Sequence, residues 1–328
     1  MKQPARITLA ALASILTIAC DGESGPTGPG ADTAPAFAVF GGDWSEPVLL
    51  DGAVNSPFRE LSPRLSPDKL SLYFNTDVPV DELPDLNIWV ARRACLDCPF
   101  EPAQPLPPPV NGPDHAGVAS LSHDGHLLFW TSDREGSEPL ADGSGPSQDI
   151  WMATRKDPKD DFGWENVVRL VSPPGCVGDA RVNTEHFDSP GTYVTAAAGA
   201  AAELYFGRQE DLKVYRTPIG RSGEVLGCAQ EVTELGTAQT PAAVRADGLE
   251  LVLWGVPGGV GDVWRSTRRN VTEPWSAPEK LGPPVNSPFA DLAPGLSHDG
   301  TTLVFSSGQA RGGLGFQDIW ITTRTRGR

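Results

Sequence analysis

The chain has 328 residues and a formal net charge of −16. So acidic a polypeptide argues against nucleic acid as a partner, because phosphate recognition needs clustered Lys and Arg. Its length leaves room for a core larger than that of a small disulfide-stapled module.

The chain opens on Met1-Lys2-Gln3-Pro4-Ala5-Arg6, followed by an unbroken small and apolar run over 7–19. A short cationic segment ahead of such a run is the organisation of an export signal. The run stops at Cys20 behind Thr17-Ile18-Ala19, a loose form of the bacterial lipoprotein cleavage box, although lipoproteins usually carry leucine where Thr17 stands. Cys20 is therefore the expected lipidated N-terminus. The other small-residue pattern, Ala34-Pro35-Ala36-Phe37-Ala38, lies too far beyond the apolar run for ordinary cleavage. Residues 20–38 are rich in Gly, Pro, Ser and Thr and are expected to be a flexible tether. The segment 39–328 is then the folded domain, and it holds no second apolar stretch of membrane-spanning length. The expected place is the cell envelope, in the periplasm or at the cell surface, held to the membrane by lipid. Loss of Lys2 and Arg6 with the signal takes the net charge from −16 to −18.

With Cys20 assigned to lipid, Cys95, Cys98, Cys176 and Cys228 remain. An even remainder in an exported chain predicts two disulfides, a close pair Cys95/Cys98 and a distant pair Cys176/Cys228. A redox reading of Cys95-Leu96-Asp97-Cys98 lacks the strand-helix unit that such motifs sit in. Four scattered thiols give little support for zinc.

One unit recurs every 50 to 60 residues. Its first copy reads Val54-Asn55-Ser56-Pro57, Ser62-Pro63-Arg64-Leu65-Ser66-Pro67-Asp68, Leu70-Ser71-Leu72-Tyr73-Phe74 and Asn87-Ile88-Trp89-Val90. The second reads Val110-Asn111-Gly112-Pro113, Leu121-Ser122-His123-Asp124-Gly125, Leu127-Leu128-Phe129-Trp130 and Asp149-Ile150-Trp151. Two looser copies centre on Leu204-Tyr205-Phe206 and Leu251-Val252-Leu253-Trp254. The last reads Val285-Asn286-Ser287-Pro288, Leu296-Ser297-His298-Asp299-Gly300, Leu303-Val304-Phe305 and Asp318-Ile319-Trp320. Asp-Gly supplies a tight hairpin turn, and the following short run, apolar on both faces, predicts a strand covered from both sides. A Trp-Ser-x-Pro segment such as Trp275-Ser276-Ala277-Pro278, with its relatives at Phe100 and Trp164, is expected to form the outer edge strand. Four short strands per unit and no amphipathic helix predict an all-β, five-bladed β-propeller. The unit-less Trp44-Ser45-Glu46-Pro47 at the start is expected to supply the outer strand missing from the last blade.

This pattern resembles the PD40 or WD40-like, TolB-type propeller repeat of bacterial envelope proteins, and the resemblance covers essentially everything after the tether. It implies the fold and an envelope setting, and says little about function, since unlike partners share the repeat.

Aligned on Val-Asn, the units place Glu60, Ala116, Asp188 and Asp291 at one position, where the chain turns into each innermost strand, with Gln239 as the fourth-unit counterpart. A repeated acid there is explained by capping of the inner strands. Read as chemistry, Glu60, Asp188 and Asp291 would be the acids of a glycoside hydrolase, or would hold a cation. His115 and His186 also approach this mouth, whereas His123 and His298 occupy the proline slot of the turn. The candidate ligand-contacting set is Glu60, His115, Asp188, Gln239 and Asp291. No nucleophile elbow, phosphate loop or metalloprotease motif occurs, and no cofactor or metal is assigned. The acidic insertion 133–149 is expected to be a mobile surface loop. The expectation is a monomeric, non-enzymatic binding or scaffold protein that recognises an envelope protein, peptide or glycan on one propeller face, with a glycan-cleaving enzyme as the alternative.

Overall fold

Each repeat unit folds into a four-stranded antiparallel sheet, and five such sheets form a β-propeller in the computed structural model, which describes residues 43–79, 86–194, 202–236, 239–255 and 261–325, with backbone alone for 239–242. The signal segment, Cys20 and the tether lie outside the described residues. From the channel outward, blade 1 comprises Glu60–Leu65, Ser71–Thr76, Asn87–Arg92 and Gln104–Pro105. Blade 2 comprises Gly117–Leu121, Leu127–Ser132, Asp149–Thr154 and Glu165–Arg169. Blade 3 comprises Asp188–Val194, Ala202–Arg208, Val214–Ile219 and Gln230–Glu231. Blade 4 comprises Gln239–Val244, Glu250–Gly255, Asp262–Thr267 and Glu279–Lys280. Blade 5 takes Asp291–Leu296, Thr302–Gly308 and Gln317–Thr323, and its outer strand is Val48–Leu49, with Val48 opposite Ile321 and Leu49 opposite Trp320. The helical content of the described residues is three single 3₁₀ turns.

Sequence chemistry accounts for each element. Every residue of Ser71–Thr76 and of Leu127–Ser132 is buried, which is why these strands carry apolar side chains on both faces. In the turn before the second strand, Gly125, Gly248 and Gly300 adopt φ of 73°, 73° and 71°, where a Cβ would be strained. The preceding Asp accepts the amide two residues on, as Asp124 does from His126 and Asp247 from Leu249.

The core is five clusters, one at each blade junction. Tyr73, Ile88 and Val90 of blade 1 pack with Leu128, Trp130 and Trp151 of blade 2. On the other flank of blade 1, Val304 and Ile319 of blade 5 pack with Leu65, Leu72 and Phe74. Each large side chain so buried contributes roughly 1.5–3 kcal/mol. All five inner strands shift register part-way along, as at Leu61/Arg64 and Leu292/Gly295. Past the bulge in blade 1, Arg64 donates across to Pro294 O of blade 5 at 3.1 Å. A Cβ on Gly295 would stand 2.2 Å from Pro63 O, so only glycine permits this approach.

Both expected disulfides are present, Cys95–Cys98 and Cys176–Cys228. Two expectations are corrected. Trp275-Ser276-Ala277-Pro278 and Phe100-Glu101-Pro102 precede the outer strands rather than forming them, because Trp275 and Phe100 are buried as plugs. The insertion 133–149 is fastened rather than free: Glu138 N donates to Asp149 Oδ2 at 3.0 Å, Arg169 bonds both Glu138 and Asp149, and Ser147 is fully buried.

Candidate functional site

The mouth of the channel is built by one short element, Asn-Ser/Thr followed four residues later by an acid. Asn286 donates Nδ2 to Val263 O and Leu281 O and accepts the Val263 amide, so one side chain clasps the third and outer strands of blade 4. Asn55 does the same for Ile319 and Leu50, Asn111 for Ile88 and Leu106, and Asn183 for Ile150 and Leu170. The junction of blades 3 and 4 lacks this Asn and carries the 3₁₀ turn Thr233–Leu235 instead.

The hydroxyl residue after Asn serves the acid. Ser287 donates its amide (2.6 Å) and hydroxyl (2.8 Å) to Asp291, whose other oxygen accepts from Arg311 Nη1 at 2.5 Å. Thr184 gives Asp188 the same two bonds, at 2.7 and 3.0 Å, and Arg208 Nε completes the carboxylate at 2.8 Å. Ser56 binds Glu60 in the same way, with Thr76 in place of an arginine. All three acids are fully buried. Burial pushes Glu60 up to about 7 against the pull of Ser56, and the neighbouring Asp318 charge adds to the rise. Burial likewise raises Asp188 to about 6 despite Arg208. These carboxyls hold their own loops closed and present no face to a ligand.

The remaining predicted residues are placed as follows. Ala116 fills the second-blade position, with no acid to offer. Gln239 begins the fourth inner strand opposite Gly255, and its side chain lies outside the described residues. His115 is half-buried, its amide bonded to Asp133, and burial lowers its basicity. His186 pairs with Glu210 at 2.5 Å. Among the described residues, no group of three or more His, Cys, Asp or Glu side chains is placed to hold a metal ion, and no helix is long and apolar enough to cross a membrane.

Three aromatic rings are exposed at the mouth. Phe58 and Phe289 follow the Asn-Ser-Pro elements of blades 1 and 5 and are 38% and 39% exposed, and Phe316, on the loop before the third strand of blade 5, is 72% exposed. Backbone bonds line these loops up: Phe316 N to Phe58 O, Gln309 N to Phe316 O, and Gly308 N to Ala290 O, beside Phe289. Gly315 lets the loops approach, since a Cβ there would stand 2.1 Å from Phe58 O. Sequence reasoning passed over this rim, although the repeated Asn-Ser-Pro-Phe was its signal.

The opposite, turn-bearing face holds a second repeated device that the sequence reading missed. The arginine ending a third strand caps the turn of its own blade and stacks on the plug before the outer strand. Arg155 binds Gly125 O and lies 4.3 Å from the Trp164 ring; Arg268 and Arg324 do likewise with Gly248 and Trp275, and with Gly300 and Trp44. His123 and His298 stack at 4.8 Å between blades 2 and 5, and burial lowers His298 to about 4.

No protein-family profile matches this chain, and no curated protein matches it in sequence. Its fold is similar to that of an α-L-arabinofuranosidase from Podospora anserina solved with cellotriose: TM-score 0.53, 9% identity, 89% of this chain and 98% of that one. It is also similar to a family 117 glycoside hydrolase of the marine bacterium Zobellia galactanivorans, at TM-score 0.54 and 14% identity over 88% and 91% of the two chains. TolB from Acinetobacter baumannii matches at TM-score 0.46 and 14% identity, over 84% of this chain and 57% of that one. At such identities the likeness to the two hydrolases is one of fold.

Proposed function

We propose that this is a non-enzymatic binding propeller of the cell envelope, tied to the membrane through Cys20, which recognises a protein, peptide or glycan with the mouth face around Phe58, Phe289 and Phe316. The observation that carries this reading is the state of the three mouth acids. A glycoside hydrolase needs one carboxyl to give a proton to the leaving oxygen and another to act on the opposite face of the sugar. Here each acid is buried and bonded by the amide and hydroxyl of its own loop, and two are paired with arginine. Exposed aromatic rings are instead suited to recognition, since they supply large contact area at small entropic cost.

The hydrolase reading has one observation in its favour. Glu60 is raised to about 7, a value fit for a general acid, and hydrolases are among the fold's neighbours. Its complete burial removes it from any glycosidic oxygen.

The test pairs activity with capture. Incubation with a panel of plant, algal and bacterial polysaccharides should release no reducing sugar, and crosslinking on intact cells should recover a partner. Joint replacement of Phe58, Phe289 and Phe316 by Ala should abolish recovery, while Glu60→Gln retains it. Hydrolysis that disappears in Glu60→Gln would overturn the proposal.

A further inference from the structure

The internal repeat provides a control for one unusual junction. In blade 2, Arg155 is fully buried against Trp164 and its Nη1 bonds Asp161, three residues before that ring, at 2.8 Å. In blade 1, Arg93 lies over Phe100, and Asp97, again three residues before the ring, acts on it through space. In blade 5, Arg324 lies over Trp44 and bonds Glu250, which begins the second strand of blade 4. Three junctions thus answer the stacked guanidinium with an acid.

At the junction of blades 3 and 4 the same arginine lacks one. Arg268 is 8% exposed, lies 4.2 Å from the Trp275 ring and gives Nε to Gly248 O. Three residues before its ring stands Thr272, where blades 1 and 2 carry Asp. Glu203, in the position of Glu250, pairs with Arg216 at 3.2 Å instead. Among the described residues no carboxylate bonds Arg268. In place of the acid there is an open cavity of about 280 Å³, lined by Arg216, Glu231, Glu234, Arg268, Glu273 and Trp275 among others. Glu231 is engaged by Lys213 and Glu273 by Asn270, and Glu234 stands exposed at the cavity.

A buried guanidinium is ordinarily paired, because desolvating it alone is costly. A free anion alone would meet three glutamates here, and a free cation two arginines. We infer that this cavity binds a small zwitterion of the α-amino acid class, its carboxylate taking the place that Asp161 holds in blade 2 and its ammonium group facing Glu234. The site is separate from the Phe58, Phe289 and Phe316 rim and does not depend on the function proposed for it.

The test starts with the common L-amino acids, each titrated singly into the folded domain while thermal stability is recorded; the one giving the largest shift is then compared by calorimetry with its N-acetyl and its amide derivatives. The zwitterion should bind at least tenfold more tightly than either derivative, each of which lacks one charge. Thr272→Asp restores the acid of blades 1 and 2 and should raise the midpoint of unfolding while abolishing binding. Arg216→Gln, at a half-exposed position, should fold normally and weaken binding severalfold, as should Glu234→Gln. Absence of a shift with every amino acid, equal binding of the N-acetyl derivative, or full binding by Thr272→Asp would each overturn the inference.

Discussion

On the mouth face a buried acid answers to its own loop, whereas on the turn face two buried arginines also reach the neighbouring blade. Asp291 takes two bonds from Ser287, four residues earlier, and one from Arg311 of the same blade. Arg155 instead reaches Tyr73 Oη of blade 1, and Arg324 reaches Glu250 of blade 4. Both arrangements repeat around the ring and look equally like a site when single residues are inspected. The difference shows in what each charge holds: the mouth acids shape loops, and Arg155 and Arg324 join sheets. Repeated buried polar residues here are construction, and departures from the repeat, such as Thr272 in place of an acid, are what mark one junction off from the others.

The contrast is broken most directly at the turn face. Arg324→Met keeps a stem over Trp44 but leaves Glu250 with Arg245 alone and Gly300 O without its donor. Loss of one partner from a buried ion pair typically costs about 3–5 kcal/mol. Urea unfolding should show that loss across the whole transition, since Arg324 follows the strand of blade 5 on which Val48–Leu49 closes the ring. A cost below 1 kcal/mol would mean that the blades are held by apolar packing alone.

A neutral device on the mouth face comes next. Asn286→Ala removes three buried hydrogen bonds and strands the Val263 amide together with two carbonyls. Unsatisfied buried groups cost ~1–3 kcal/mol each, and partial relaxation brings the expected total to about 2–4 kcal/mol. The unfolding midpoint checks it. The junction of blades 3 and 4, which has no such Asn, is the natural comparison and should lose protection from hydrogen exchange first.

Much of the fold was legible because propeller strands are short, local and repeated. Leu127-Leu128-Phe129-Trp130 cannot be half-exposed, and Asp124-Gly125 cannot be other than a turn, so blade number and strand order follow from spacing. The site was less legible for a physical reason. A sequence shows that Glu60, Asp188 and Asp291 recur, but not that Ser56, Thr184 and Ser287 consume them, since that depends on a loop folding back over four residues. The arginine clamps were hidden in another way: Arg155 and Trp164 are nine residues apart, while Arg268 and Trp275 are seven apart. No fixed spacing announced them, although an arginine directly after each Asp-Ile-Trp strand was visible. Cys176 and Cys228, by contrast, were found by counting alone.

The smallest expected effect has the opposite sign and so sharpens the comparison. Among the described residues no cation pairs with Glu60, and burial lifts it from 4.5 to about 7. A carboxyl whose folded-state value is raised favours the native state fully below its unfolded value and loses that contribution as pH climbs through the folded one. Between pH 4.5 and 7 the native protein should therefore lose stability that Glu60→Gln retains. By pH 8 the variant should be the more stable by about 1–3 kcal/mol, given 1.36 kcal/mol per unit. Removing a charge then costs stability on the turn face and gains it at the mouth. Unfolding curves for both proteins at pH 5 and pH 8 decide the matter: a difference that does not change with pH would show that Glu60 stays ionised in the native state, and that its loop is held by charge after all.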